Sequence, residues 1–231
     1  AHQFKIGPSQ LRWENNHLFI EINERVPLLG NKVQGSIKVF PERLFNQVVS
    51  LDDQGKHRWG PIAPSARVEV CFTKPSLQWH GNAYFDSNEG DEAISKPFSE
   101  WDWSRAHLKD GSTAVIYDIR QKNGIERVIA SQFNLDGSVQ SFTAPERTPL
   151  RKTGWGIHRN MRSEADGNSS SVRLLNTFED TPFYARSMLQ SRLLGEDVIS
   201  MHETLNIKRL ESQIVQFMLP WRMPRNPTRI Y

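Results

Sequence analysis

Residues 109–143 read KDGSTAVIYDIRQKNGIERVIASQFNLDGSVQSFT. Lys109-Asp110-Gly111, Lys122-Asn123-Gly124 and Leu135-Asp136-Gly137 each place Gly after Asp or Asn. There a positive φ is inexpensive and a tight hairpin can form. Ala114–Arg120, Glu126–Asn134 and Val139–Thr143 are then three strands of an antiparallel meander. The same grammar extends in both directions. Leu18–Ile22 alternates after Glu14-Asn15-Asn16, Val33–Phe40 alternates before Pro41, and Arg67–Phe72 alternates before Lys74-Pro75. Short runs bounded by turn residues every dozen or so positions predict a mostly β chain of antiparallel sheets in sandwich or barrel form.

One helix interrupts the pattern. Pro182–Leu194 follows Thr181, a candidate N-cap, and precedes Gly195, a candidate C-terminal stop. Val198–Asn206 and Gln213–Met218 resume strand. Gly, Asp, Glu, Ser, Lys and Pro crowd between Asn88 and Glu100, which sets the expected domains at 1–92 and 93–231. No internal repeat is evident. Cys71, the one cysteine, lies in the alternating run Val68-Glu69-Val70-Cys71-Phe72 and reads as a small buried hydrophobe, with no internal disulfide.

The chain has 231 residues, 37% of them hydrophobic and 24% charged, which is globular composition with a sizeable core. No apolar run approaches the roughly 18 residues of a membrane-spanning helix. The sequence starts at Ala1 with no signal-peptide pattern, as a trimmed or truncated product would. The formal charge of +3 is weak evidence for an anionic partner, and no nucleic-acid partner is expected. The basic residues cluster late, where Lys208, Arg209, Arg222, Arg225 and Arg229 oppose only Glu211 from Leu205 onward. Trp221 and Met223 lie among them, a mixture that could rest on an anionic membrane surface, although on composition a solvated tail with a few apolar anchors is the better reading.

Familiar catalytic signatures are absent: no G-x-S-x-G, no G-x-x-x-x-G-K, no G-x-G-x-x-G and no H-E-x-x-H. Asp86-Ser87-Asn88-Glu89-Gly90 departs from a calcium loop, with Gly90 one place early and Pro97 where the bidentate Glu belongs. The seven His lack metal-ligand spacing, so no metal is expected. Aromatic residues instead mix with a few polar ones in three stretches, Lys56–Pro61, His80–Gly90 and Trp101–Ala106. In His57-Arg58-Trp59 and Tyr84-Phe85-Asp86 the outer residues are two apart, so on strands each pair projects from one face. An imidazole, an indole, a phenol and a carboxyl are thereby expected around one cavity.

Gly7–Trp13, His57–Val70, Gly81–Gly90, Trp103–Ala106, Tyr117-Asp118, Glu179–Ser187 and His202–Leu205 together closely resemble the bacterial carotenoid 1,2-hydratases, or hydroxyneurosporene synthases. The matching blocks run in order over nearly the whole chain. The resemblance implies two lipocalin-like β domains of the AttH-like superfamily. It also implies that the chain begins where an additional N-terminal stretch of the family ends, so the first domain is expected to lack its first strands. Such enzymes hydrate the terminal C1–C2 double bond of neurosporene, lycopene or a related acyclic carotenoid, giving a tertiary alcohol with no organic cofactor. The resemblance assigns Asp86 as proton donor and His57, Trp59 and Tyr84 as supporting residues. It places the protein at the cytoplasmic side, in contact with the membrane that holds its insoluble substrate.

Residue chemistry fits that assignment. Protonating a trisubstituted alkene at C2 requires a strong acid near carbon and leaves a tertiary cation at C1. A carboxyl kept protonated by an apolar surrounding can be that acid. Aromatic faces stabilise a cation by about 0.5–2 kcal/mol each. His57 can tune Asp86 or accept a proton from the incoming water, provided that it is neutral in the ground state. Without the resemblance, Asp86 reads as a turn or cap residue, His57 as a surface or a hydrogen-bonded His, and Trp59 and Tyr84 as core aromatics. Trp101 and Trp103 read as core or pocket walls, Asp102 as an ion-pair partner of Arg105 or Arg120, and Asp118 as a second candidate acid. Two rivals use the same fold: a pericyclase or isomerase that adds no water, and a carrier of an apolar ligand.

Overall fold

The computed structural model describes residues 3–26, 30–166, 169–170 and 172–219. Its strands are β1 (Gln3–Ile6), β2 (Ser9–Glu14), β3 (His17–Arg25), β4 (Lys32–Pro41), β5 (Val49–Ser50), β6 (His57–Lys74), β7 (Ser76–Gly90), β8 (Phe98–His107) and β9 (Thr113–Gln121). They continue as β10 (Glu126–Phe133), β11 (Val139–Ser141), β12 (Arg147–Leu150), β13 (Arg159–Arg162), β14 (Ala165–Asp166), β15 (Ser169–Ser170), β16 (Arg173–Asp180), β17 (Tyr184–Leu193) and β18 (Glu196–Asn206). Two short helices, α1 (Ile207–Leu210) and α2 (Gln213–Met218), follow. The mostly β expectation holds, with open, sandwich-like sheets rather than closed barrels.

Two compact units form. One contains Ala1–Val48 and Gly60–Ser87, the other Val49–Trp59 and Asn88–Tyr231. The chain therefore changes unit three times, twice inside the long strands β6 and β7, where the expected organisation had one cut after residue 92.

In the first unit the sheet runs β1-β2-β3-β4-β6, with β7 paired to β6. Its register aligns apolar residues on one face: Leu11 with Ile20, Ile37 and Val70, and Leu18 with Val39 and Val68. These residues build the unit's core with Ala63 and Ala66, and Ala83 and Phe85 of β7 pack against it. Each fully buried Val or Leu contributes about 1.5–3 kcal/mol. The alternation that buries Val68 and Val70 turns Glu69 and Cys71 outward, so Cys71 is exposed, against the expectation of a buried thiol. Along β6 the buried parity shifts: His57, Trp59 and Pro61 are buried, then Ala63 to Ala66 without a break, then Val68 and Val70. One extra buried step re-aims the strand as a bulge does. Gly35 lies at a register irregularity opposite β6, and a Cβ there would stand 2.5 Å from the Cys71 carbonyl oxygen and the Phe72 Cα, so no other residue fits.

The sheet of the second unit runs β11-β10-β9-β8-β18-β17-β16. The predicted meander is there, and Gly111, Gly124 and Gly137 take positive φ values of 85°, 87° and 94°. The predicted helix over Pro182–Leu194 is absent, because β17 occupies it. Along β17 every second residue is buried, but those residues are Ala185, Ser187, Leu189, Ser191 and Leu193, and the two serines hide the period of two. Thr181 caps no helix; its hydroxyl accepts from the Tyr184 backbone N–H at 3.0 Å in a local turn. Leu194 and Gly195, at φ of 53° and 80°, form the hairpin turn joining β17 to β18.

The strand expected over Gln213–Met218 is likewise replaced by helix α2. The Ser212 hydroxyl caps it at Val215 N, and the Asn206 side chain caps α1 at Arg209 N. Within α2 only Val215 is buried, while Ile214 and Phe217 are about three-quarters exposed at 75% and 74%, so the apparent alternation there carries no packing. The Trp221–Arg225 segment lies outside the described residues.

The second unit has a charged interior. Asp118, 2% exposed, accepts from Arg147 at 2.8 and 3.0 Å and from Arg162 at 2.8 Å, and Arg120 stands 3.5 Å away. Asp102 accepts from Arg120 and from the Thr204 hydroxyl, both at 2.6 Å, as its expected ion pairing requires. His202 contacts the Asn160 carbonyl oxygen at 2.8 Å, and Arg159 donates to Ser187 at 2.7 Å. Burial, opposed only in part by Asp102, holds His202 below the ordinary histidine range, so it is neutral. Among these side chains the remaining cavity is about 10 Å³, room for a single water.

Candidate active site

Tyr84 and Asp86 sit two apart on β7 in the first unit, both half-buried. The Tyr84 hydroxyl donates to Asp86 Oδ2 at 3.0 Å. Strand alternation explains the pairing, since Ala83 and Phe85 pack on the apolar core and the residues between and beyond them turn to the other face. The phenol is thus placed to hold the carboxyl in one orientation. Gly60 of β6 lies opposite Ser87, where a Cβ would stand 3.0 Å from the serine hydroxyl. Backbone approach near the carboxyl is correspondingly close.

His57 and Trp59 belong to the second unit, where β5 pairs with the start of β6. His57 is 2% exposed and Trp59 is fully buried. Among the described residues the His57 Nε2 has no hydrogen-bond partner, a rare condition for a buried nitrogen. Its ring meets Phe98 edge-on at 5.0 Å. Phe98 meets Trp101 at 5.6 Å, Trp101 meets Tyr117 at 5.9 Å, Tyr117 meets Trp59 at 5.9 Å and Trp59 meets Phe133 at 6.1 Å. These edge-to-face contacts form one continuous aromatic array. The expected carboxyl, phenol, imidazole and indole therefore fall as two pairs, one in each unit.

Phe98, Tyr117 and Phe133 were missed as members of this array. Tyr117 lies in the unbroken buried run of β9 and stands opposite Trp103 on β8, so no alternation singles it out. Nothing in the spacing announces that Phe98, forty residues on from Arg58, returns to the start of β6.

Gly90 makes room for the His57 ring. A Cβ there would lie 2.8 Å from His57 Nδ1 and 3.0 Å from Cε1. Gly90→Ala is expected to displace the imidazole and to lower stability by about 1–3 kcal/mol. Thermal unfolding measures the loss, and the ring displacement appears in the His57 imidazole resonances by NMR; an unchanged His57 spectrum would contradict the contact. Nearby, Arg58 donates two bonds to Asp91 at 2.8 and 2.9 Å, and its guanidinium holds that carboxyl below the usual carboxylate range. This clamp ties the end of β7 to the start of β6.

Asp118 cannot serve as the second candidate acid. Burial raises its pKa, but the bonds from Arg147 and Arg162 and their charges, with that of Arg120, overcome burial and leave it lowered. A carboxylate in an arginine cradle holds no proton to donate near neutral pH. Among the described residues no group of three or more His, Cys, Asp or Glu is arranged to hold a metal ion.

Known proteins share this architecture. A crystal structure of a protein assigned as AttH from Nitrosomonas europaea superposes with a TM-score of 0.56 at 13% identity, covering 89% of this chain and 69% of that one. That likeness is one of fold, a mostly β chain of antiparallel sheets. The family model for the carotenoid hydratase CrtC matches residues 1–231, and the chain belongs to that family. It is 54% identical over 223 residues to the acyclic carotenoid 1,2-hydratase of Rubrivivax gelatinosus, covering 96% of this chain and 54% of the relative. The acyclic carotenoid 1,2-hydratase of Thiocapsa roseopersicina is 43% identical, with 95% and 54% covered. That of Rhodobacter capsulatus is 34% identical, with 96% and 78% covered. The chain thus spans about half the length of the first two relatives.

Proposed function

We propose that the protein adds water across the terminal C1–C2 double bond of an acyclic carotenoid such as neurosporene or lycopene. The observation that carries this reading, beside family membership, is the Tyr84–Asp86 pair, an oriented carboxyl with a phenol at 3.0 Å. Asp86 passes its proton to C2, and the alkene's electron pair forms the new C–H bond. The tertiary cation left at C1 is stabilised by an aromatic face, that of Tyr84 beside the acid, by about 0.5–2 kcal/mol. Water attacks C1, and the resulting oxonium returns a proton to the Asp86 carboxylate. No proton or electron is left over, so the cycle regenerates the acid.

The carrier reading needs an apolar interior. In the second unit the space between β8, β9 and β13 holds ion pairs and a cavity of about 10 Å³, so no apolar cargo is held there. Hydration in heavy water distinguishes the rivals. The proposed route places one deuterium at C2 of the product, whereas a pericyclic rearrangement incorporates none; unlabelled product would end the proton-transfer mechanism. Peripheral contact with the cytoplasmic face of a membrane belongs to the same proposal, since the polyene partitions into lipid.

A further inference from the structure

Three connections meet at one end of the first unit's sheet. Gly7-Pro8 joins β1 to β2, and the Ser9 hydroxyl that follows accepts from Asn23 N near the end of β3. Arg25 pairs with Lys32 across the β3–β4 connection, and Gln34 pairs with Lys74 beside the β6–β7 turn. Large apolar side chains face water at this end: Ile6 is 64% exposed, Leu77 50% and Trp79 47%. Four exposed cations, Lys5, Arg25, Lys32 and Lys74, lie on the strands whose ends meet here. Glu24, beside Arg25, is engaged by the Ser9 hydroxyl. Trp79 also walls a groove of about 830 Å³ whose lining includes Lys38, His80 and the ion pair of Arg67 with Glu69.

Exposed Leu and Trp at the tip of a hairpin are unfavourable in water and favourable in the headgroup boundary of a bilayer, where an indole places its N–H toward water and its ring toward acyl chains. The cations fix the sign of the partner, because they are attracted by anionic headgroups. From this juxtaposition we infer that the turn end of the first unit rests on an anionic lipid surface, with Leu77 and Trp79 in the interface and the four cations against the headgroups. The inference gives the membrane contact of the proposed function a place in the fold, and in that respect rests on that reading.

Flotation of the full chain with phosphatidylcholine vesicles, with and without phosphatidylglycerol, tests it. The chain is expected to float with the anionic vesicles only, and less at high salt. Replacing Leu77→Ser and Trp79→Ser together should lower partitioning about tenfold. Replacing Lys32→Gln and Lys74→Gln should lower it about fivefold for each cation removed. Circular dichroism of each variant secures the fold. Wild-type levels of binding by either double variant, or no flotation of the parent chain, would overturn the inference. In the latter case sedimentation velocity shows whether a second copy covers this end instead. Turnover of detergent-dispersed neurosporene by the same proteins separates the two readings. Lost vesicle binding with retained turnover supports both, and retained binding without turnover by the parent chain removes the hydratase reading alone.

Discussion

Asp86→Asn should abolish hydration while the protein stays folded. The amide keeps the size of the carboxyl and can still bond the Tyr84 hydroxyl, so the half-buried site on β7 loses little packing. What it loses is the proton. Removing a general acid lowers rates by about 10²–10⁴-fold, and protonation of an alkene carbon, which water performs poorly, should fall at or beyond the upper end. The far-UV spectrum and the unfolding midpoint should match the parent. Tyr84→Phe offers the comparison: it removes only the orienting hydroxyl and should give a smaller loss. Substantial residual turnover by Asp86→Asn would exclude Asp86 as the donor.

Asp118→Ala should act in the opposite way, on stability first. It leaves Arg147 and Arg162 aimed at an empty position inside the second unit, with Arg120 close by. Deleting one partner of a buried ion-paired network is destabilising by about 3–5 kcal/mol, because the remaining charges stay desolvated. For a protein of this size that lowers the unfolding midpoint by on the order of 10 °C. Any loss of turnover should track the loss of folded protein. A variant with an unchanged midpoint and no turnover would make Asp118 the acid after all, and would displace Asp86.

The sheets were legible from turn chemistry. Gly111, Gly124 and Gly137 announced the β8–β11 meander because a positive φ after Asp or Asn has few alternatives, and the structure places all three there. β17 was not legible, because its inward positions include Ser187 and Ser191, polar residues whose hydroxyls meet Arg159 and Ser200 rather than an apolar core. The same inversion hid the role of Gly195, whose positive φ serves a hairpin turn and not a helix end. At α2 the error ran the other way: alternation of apolar residues suggested a strand, but the Ser212 cap and local hydrogen bonding decided for helix.

The candidate site divides similarly. The outer residues of Tyr84-Phe85-Asp86 share a face, as period two requires, and the phenol-to-carboxyl bond follows from it. Edge contacts of Trp59 with Tyr117 and Phe133 depend on strands brought together by the sheet order, which no local pattern encodes. The unpartnered His57 Nε2 is of the same kind, visible only once Phe98 and Gly90 enclose the ring.

Water capture at a carbocation is the central claim, and the origin of the product oxygen tests it most directly. Purified protein incubated with neurosporene in water enriched in heavy oxygen, followed by mass spectrometry, should yield a 1-hydroxy carotenoid whose hydroxyl carries the label. Product without labelled oxygen, or bound neurosporene recovered unchanged, would contradict the account.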